Sequence, residues 1–150
     1  MTAPIFVKDI RRASDTRPMC DVVKAGDFLF LSGQVGFDEQ RRIVGPGDIE
    51  AQARQIFTNV RRKLGLFGCD LTSIVRLTSY LTTPMTDMTF TEKYWTVRRE
   101  FFGDHTPAST GVQVASLMLP GLVIEVDVTA YAPGAVPGPE AIVLNPAAKA

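Results

Sequence analysis

Histidine, cysteine and net charge are what this 150-residue chain has least of. His105 is the only histidine, which leaves few options for a Ser-His-Asp mechanism. Cys20 and Cys69 stand far apart. That argues against a disulfide framework, and against a zinc site, which needs ligand pairs at close spacing. Lys and Arg number 16, balanced by 16 Asp and Glu, so neither a polyanion nor an anionic membrane is the default partner. No apolar run is long enough to span a bilayer, and MTAPIFVKDI is too short and too polar for a signal peptide. The expected location is cytoplasmic.

What is present is enough apolar residue, 45% of the chain, to bury one sizeable core. A single domain is expected over residues 1–132, followed by a Pro/Gly/Ala-rich extension over 133–150, expected to be loose or docked on a partner. CDVVKAGDFLFLSGQV reads as a hairpin turning at Ala25, Gly26 and Asp27, with Phe28 to Leu31 apolar enough to be covered on both faces. Asp48 caps a predicted helix to about Leu66, whose buried face is Ile49, Ala53, Ile56, Val60 and Leu64. SIVRLTSYLT is a strand closed by Pro84. A second helix, capped by Thr86 or Asp87, runs to Phe102 with Phe90, Tyr94, Val97 and Phe101 as its predicted buried stripe. Strands 109–115 and 122–131 follow. The order predicts an α/β (α+β) layer, about six strands in a mixed sheet with two helices on one face. Two helices cannot cover both faces, so the opposite apolar face predicts a homo-oligomer.

HTPASTGVQVAS, residues 105–116, offers small side chains where a strand leaves a loop. It is one of several ordered patterns that together resemble the Rid (YjgF) family over roughly residues 18–132. VVKAGDFLFLSGQV is similar to the family hairpin ending in Ser-Gly-Gln, here Ser32, Gly33 and Gln34. AQARQIFTNVRRKLGLFGCDLTSIVRLTSYL is similar to its first helix and next strand, with Gln52 and Asn59. VIEVDVTAY is similar to the strand that carries a Glu, here Glu125. The resemblance implies a homotrimer of chorismate-mutase-like subunits with a small-molecule pocket at each subunit interface. It also implies cofactor-independent hydrolysis of enamines and imines, an Arg gripping the substrate carboxylate while the Glu holds a water. PAST stands where the family usually has Pro-Ala-Arg-Ser, so Ser109 occupies the Arg position, followed by Thr110. A serine cannot replace a bidentate, permanently charged guanidinium. The family Pro-Tyr-Ser is Pro18-Met19-Cys20, and Trp95 stands where many members have Asn. The expected pocket is therefore larger near Ser109, more apolar and less anion-seeking, and its substrate is not the usual 2-imino acid. The alternative is a ligand-binding or protein-partner module on the same scaffold.

The candidate site is Glu125 as the catalytic carboxylate, with Ser32, Gly33, Ser109, Thr110, Trp95 and Met19 lining it. Ile124 and Val126 flank Glu125 on the opposite strand face, an environment that can raise a carboxylate pKa. Asp127 shares the Glu125 face about 6.5–7 Å further on and reads as structural. Arg76 interrupts an apolar strand and is expected to pair with Glu125, or else to point into the pocket. Arg11-Arg12, Arg41-Arg42, Arg61-Arg62 and Arg98-Arg99 read as solvated faces rather than as a nucleic-acid surface, although some Rid relatives have been described as ribonucleases.

Overall fold

The computed structural model describes residues 2–145. Strands β1 (Ile5–Asp9), β2 (Val22–Ala25) and β3 (Phe28–Val35) lead into helix α1 (Ile49–Gly65). Strand β4 (Ile74–Leu81), helix α2 (Met88–Phe102), β5 (Ala108–Gln113) and β6 (Ile124–Tyr131) come next, and a short β7 (Ala141–Val143) closes the order. One seven-stranded sheet runs β5-β4-β6-β3-β2-β1-β7. Among the described residues only β4 and β5 pair in parallel; α2 is the crossover that a parallel pair requires.

The seventh strand corrects the expectation for the extension. β7 pairs with β1, Val7 opposite Val143, while the Gly138 N–H donates to the Leu66 carbonyl and the Ile10 N–H to that of Glu140. The segment has its own chain to dock on, because β1 would otherwise present an open edge. The rest of the extension, 146–150, lies outside the described residues.

Local chemistry sets both helices. The Asp48 carboxylate accepts from the N–H groups of Glu50 and Ala51 at the start of α1, and Ile49, Ala53, Ile56, Phe57, Val60 and Leu64 are buried along one face. Asp87 caps α2 through the Phe90 N–H. Its stripe is rotated from the expected one. Thr91, Tyr94, Val97 and Phe102 are buried, whereas Phe90 and Phe101 are only partly so. Thr91 Oγ1 donates to the Met85 carbonyl, and the Phe102 ring meets Phe57 edge-on at 5.1 Å; these contacts turn the helix. Both helices cover the face carrying Leu29, Leu31, Leu77, Ile124, Val126 and Val128, each such side chain contributing about 1.5–3 kcal/mol on burial.

The other face is open. Its cross-strand row runs Phe6, Val23, Phe30, Thr129 and Arg76. The Phe28 ring lies 5.4 Å from that of Tyr131, tilted by 57°, and Phe28, Phe30 and Tyr131 are 41%, 46% and 46% exposed. The cover expected over both faces of β3 is thus present on one face of the single chain.

Candidate active site

β3 carries a bulge where it passes β6. Leu31 pairs with Val128 and Gln34 with Val126, so Ser32 and Gly33 together face Asp127. A bulge takes backbone out of the ladder and re-aims its neighbours. Ser32 is pinned there: its N–H donates to the Asp21 carbonyl and its hydroxyl to the Cys20 carbonyl at 2.6 Å. Gly33 is needed for space. A Cβ at this position would lie 2.1 Å from Glu125 Oε1, so the carboxylate rests directly against bare backbone. Gly36 has a matching role one turn of chain later, since a Cβ there would meet Gln52 Cγ at 2.8 Å. Gln52 is fully buried; it donates to the carbonyls of Gly45 and Gly121 and accepts from the Val123 N–H. Asn59 donates to the Phe37 carbonyl. Gln52 and Asn59 of α1 thus fasten the loops beside the site.

Glu125 faces the open side of the sheet, as strand alternation requires. Burial pushes its pKa up, and the neighbouring Asp127 carboxylate adds to the rise. Among the described residues no cation lies within 4.0 Å of it. Asp127 accepts a hydrogen bond from the Tyr80 hydroxyl at 3.2 Å, which fits the structural reading of that residue. A half-buried carboxylate without a counter-ion, set against backbone, is suited to hold a water and take its proton.

Met19, Ser32, Gly33 and Glu125 line one cavity of about 470 Å³, bounded also by the chain at 9–17, the loop at 37–41, and Gln55, Asn59 and Arg62 of α1. This cavity is charged, and it is not the pocket expected around Ser109, which does not line it. Six basic and four acidic residues contribute to the lining. Asp9 accepts a bidentate pair from Arg62, and Arg11 pairs with Glu39. Asp15 is shared by Arg12, Arg17 and Arg41. Arginines distant in sequence converge because the loops that carry them stand side by side.

Ser109, Thr110 and Trp95 are not in this cavity. Ser109 pairs with Leu77 and Thr110 with Thr78, so the two hydroxyls point to opposite faces of edge strand β5. Each already accepts a guanidinium hydrogen bond, Ser109 from Arg98 Nη1 at 2.8 Å and Thr110 from Arg76 Nη2 at 3.0 Å. Trp95, 36% exposed, lies on α2 three residues before Arg98. The expected Arg76–Glu125 pair is absent among the described residues. Arg76 sits beside a register shift opposite Thr129, four residues from Glu125 and so about 13 Å along the strand. Burial raises the Cys20 thiol pKa, opposite to what a reactive thiolate needs. His105 Nε2 lies 2.7 Å from the Ile74 carbonyl, a loop contact. Among the described residues no group of three or more His, Cys, Asp or Glu is placed to hold a metal ion, and no helix is long and apolar enough to cross a membrane.

Sequence reasoning missed Arg17, Phe37 and Met118 altogether, and took Arg12 and Arg41 for solvated residues. No spacing rule connects positions 12, 17 and 41; only the fold does.

This arrangement has known counterparts. The sequence profile of the family described as endoribonuclease L-PSP matches residues 5–132. A RutC family protein of Pyrococcus horikoshii is 34% identical over 114 residues, covering 76% of this chain and 86% of the relative. The 2-iminobutanoate/2-iminopropanoate deaminase of Bos taurus is 30% identical over 106 residues, 71% of this chain and 74% of that protein. The crystal structure of a putative endoribonuclease from Thermotoga maritima superposes with a TM-score of 0.74 at 28% identity, covering 86% of this chain and 98% of that one. The chain belongs to the endoribonuclease L-PSP family, also called the Rid or YjgF family, some of whose members are named as imine deaminases.

Proposed function

We propose that this protein is a cofactor-independent hydrolase of an imine or enamine carbon–nitrogen bond, acting in a pocket completed between subunits of a homotrimer. The observation that carries the reading is Glu125, a carboxylate with a raised pKa and no cation within 4.0 Å among the described residues, pressed against Gly33 in the lining of a cavity. In the reaction, Glu125 takes a proton from water as the oxygen adds to the C=N carbon and passes it to the nitrogen, giving a carbinolamine. In the collapse of that adduct Glu125 takes the hydroxyl proton and returns it to the nitrogen, so that the C–N bond breaks, ammonia leaves and a carbonyl remains. An enamine is first protonated on carbon to its imine. No metal or organic cofactor is needed for these steps.

The division of the expected residues into two groups supports a shared pocket. Met19, Ser32, Gly33 and Glu125 form one half; Ser109 and Arg98 meet at the free β5 edge, with Trp95 one turn before Arg98 on α2, where a neighbouring subunit can bring the first half to them. The exposed aromatics of the open sheet face supply the apolar contact such an assembly requires. Phe30→Glu is expected to convert a trimer to monomer in multi-angle light scattering; an unchanged mass would place the interface elsewhere.

The activity is tested by ammonia release from 2-iminopropanoate, generated in situ by an amino-acid oxidase, and from bulkier imines. Wild type and Ser109→Arg are run side by side. The expected result is faster hydrolysis of a bulkier imine by wild type, with 2-iminopropanoate improved by Ser109→Arg. One observation favours a second reading, a binding module on the same scaffold: the strand position of the family arginine is filled by a serine already engaged by Arg98. Binding without turnover by either protein selects that reading.

A further inference from the structure

We propose that Arg12, Arg17 and Arg41 form an anion-binding subsite in the Glu125 cavity, so that the substrate carries a carboxylate or phosphate at a distance from its reacting carbon. The inference rests on the hydrolase reading for the reacting carbon, but the subsite itself stands on charge and geometry alone.

Three guanidinium groups meet at a single carboxylate. Arg17 Nη2 donates to Asp15 Oδ2 at 2.6 Å and its Nε to Oδ1 at 3.0 Å, Arg12 donates to the same Oδ2, and Arg41 Nη1 lies 3.4 Å from it. The contacts from Arg17 and then Arg12 hold the Asp15 carboxyl well below its usual range, so it is charged and saturated. Arg12 also pairs with Asp21, but Asp21 is shared in turn with Lys63 at 3.1 Å. Lys63 is itself shared with Asp9 at 3.6 Å, so the positive charge left over beside the open cavity is that of the three guanidiniums meeting the single Asp15 carboxylate. That surplus invites an anion.

Two further features mark the place. Arg12 Nε is the one buried side-chain polar atom without a hydrogen-bond partner among the described residues, and Arg12 lines the cavity. Buried donors are almost always paired, so this one awaits an acceptor. Arg41 has φ 62°, the only positive φ outside glycine among the described residues. A left-handed conformation is unfavourable for a bulky side chain, and a glycine would turn this loop more easily. The strain instead keeps a guanidinium at the rim, over the Phe37 ring at 5.4 Å and across from Arg17. Strain of this kind collects at ligand clamps. Burial, then Arg17 and Arg12, make the charged form of Arg41 less favourable than usual, as expected of like charges held together without their anion.

The subsite is distinct from the strand position held by Ser109, which does not line this cavity. Arg12, Arg17 and Arg41 line the same cavity as Glu125, but their ion pairs are with Asp15 and Asp21 and none lies within 4.0 Å of the Glu125 carboxylate, so an anion held by them is set apart from the C=N carbon. A cavity of about 470 Å³ accommodates such a molecule.

Calorimetric titration of the full-length protein tests this with levulinate, whose ketone is separated from its carboxylate, with methyl levulinate, and with inorganic phosphate. Levulinate is expected to bind and its neutral ester not to. Arg41→Gly, which relieves the backbone, and Arg17→Gln should each weaken levulinate by about ten- to a hundredfold, the loss of one or two charge-assisted hydrogen bonds. Phosphate binding without levulinate, lost in the same variants, would assign the anion as a phosphoryl group and support the subsite. Equal binding of acid and ester, binding unchanged in both arginine variants, or no binding of levulinate or phosphate at millimolar concentration would overturn it. Failure of the hydrolase reading looks different: levulinate binds, the arginine variants lose it, and no imine is turned over.

Discussion

Glu125→Gln is expected to lower imine hydrolysis by about a hundred- to ten-thousandfold, the range for removing a positioned general base, with the fold and subunit mass unchanged. The amide keeps the shape of the group that rests on Gly33 but cannot accept a proton. The pH dependence carries the sharper test. Burial and Asp127 raise the Glu125 pKa, and the ionised form is the one that takes a proton from water, so wild-type kcat/KM should rise with pH through a midpoint above the ordinary carboxylate value. The variant's residual rate should lose that limb. Stability should move the other way. A carboxylate with a raised folded-state pKa stabilises most below its unfolded pKa and loses that contribution as pH rises through the folded value. At neutral pH the charged Glu125 is a burden on the fold that Gln removes. Thermal melts should therefore show Glu125→Gln at least as stable as wild type near neutrality, the advantage vanishing toward pH 4. A variant that loses the fold or the assembly with its activity would make Glu125 structural.

The same residue shows how far the sequence carries. Alternation placed Glu125 opposite Ile124 and Val126, and β6 puts it on the open face as period two demands. Asp48 and Asp87 cap the two helices because a carboxylate before an apolar period satisfies free N–H groups. Local rules of that kind are legible in one dimension. Ser32 and Gly33 come to Glu125 through a bulge, which a hydrophobic pattern does not encode, although the Ser-Gly-Gln resemblance marks the residues. Arg76 was misjudged because strand register, not polarity, decides which side chains can meet: its partner is Thr129, too far along β6 from Glu125. The Pro/Gly/Ala composition of the tail hid a strand three residues long that needs only the β1 edge. Arg12 ends a single 3-10 turn, Ile10–Arg12, and Arg17 and Arg41 lie outside any strand or helix, and their meeting at Asp15 depends on how these segments pack, which no periodicity records.

Those loops are anchored by a buried charge network, and Asp9→Ala is expected to destabilise the protein by about 3–5 kcal/mol, as removal of one partner from a buried ion pair does. The Asp9 side chain is 3% exposed. It takes two hydrogen bonds of 2.9 Å from Arg62 of α1 and one from the Arg11 N–H, with Lys63 Nζ 3.6 Å away. Its own N–H donates to Asp21 Oδ2 at 2.7 Å, and Arg62 reaches on to Glu140 beside β7. One carboxylate thus ties β1 to α1 and, through Arg62, to the tail. Burial alone would raise its pKa; Arg62, the Arg11 N–H and Lys63 outweigh that and hold it at about 2. A depressed carboxylate stabilises above its unfolded pKa, near 4, and loses that stability as pH falls through the folded value. The difference amounts to about 2 kcal/mol at neutral pH, lost between about pH 4 and 2. Urea unfolding from pH 7 down to pH 2 should therefore show the stability gap between wild type and Asp9→Ala narrowing by about that amount over the last two units, since other depressed carboxylates such as Asp15 are common to both proteins. A gap that stays constant with pH would mean that Asp9 acts through packing and backbone contacts rather than through its charge. Because the network sits directly behind Arg11 and Arg12, Asp9→Ala should also cost levulinate binding before it costs folding, and Arg62→Ala should do the same.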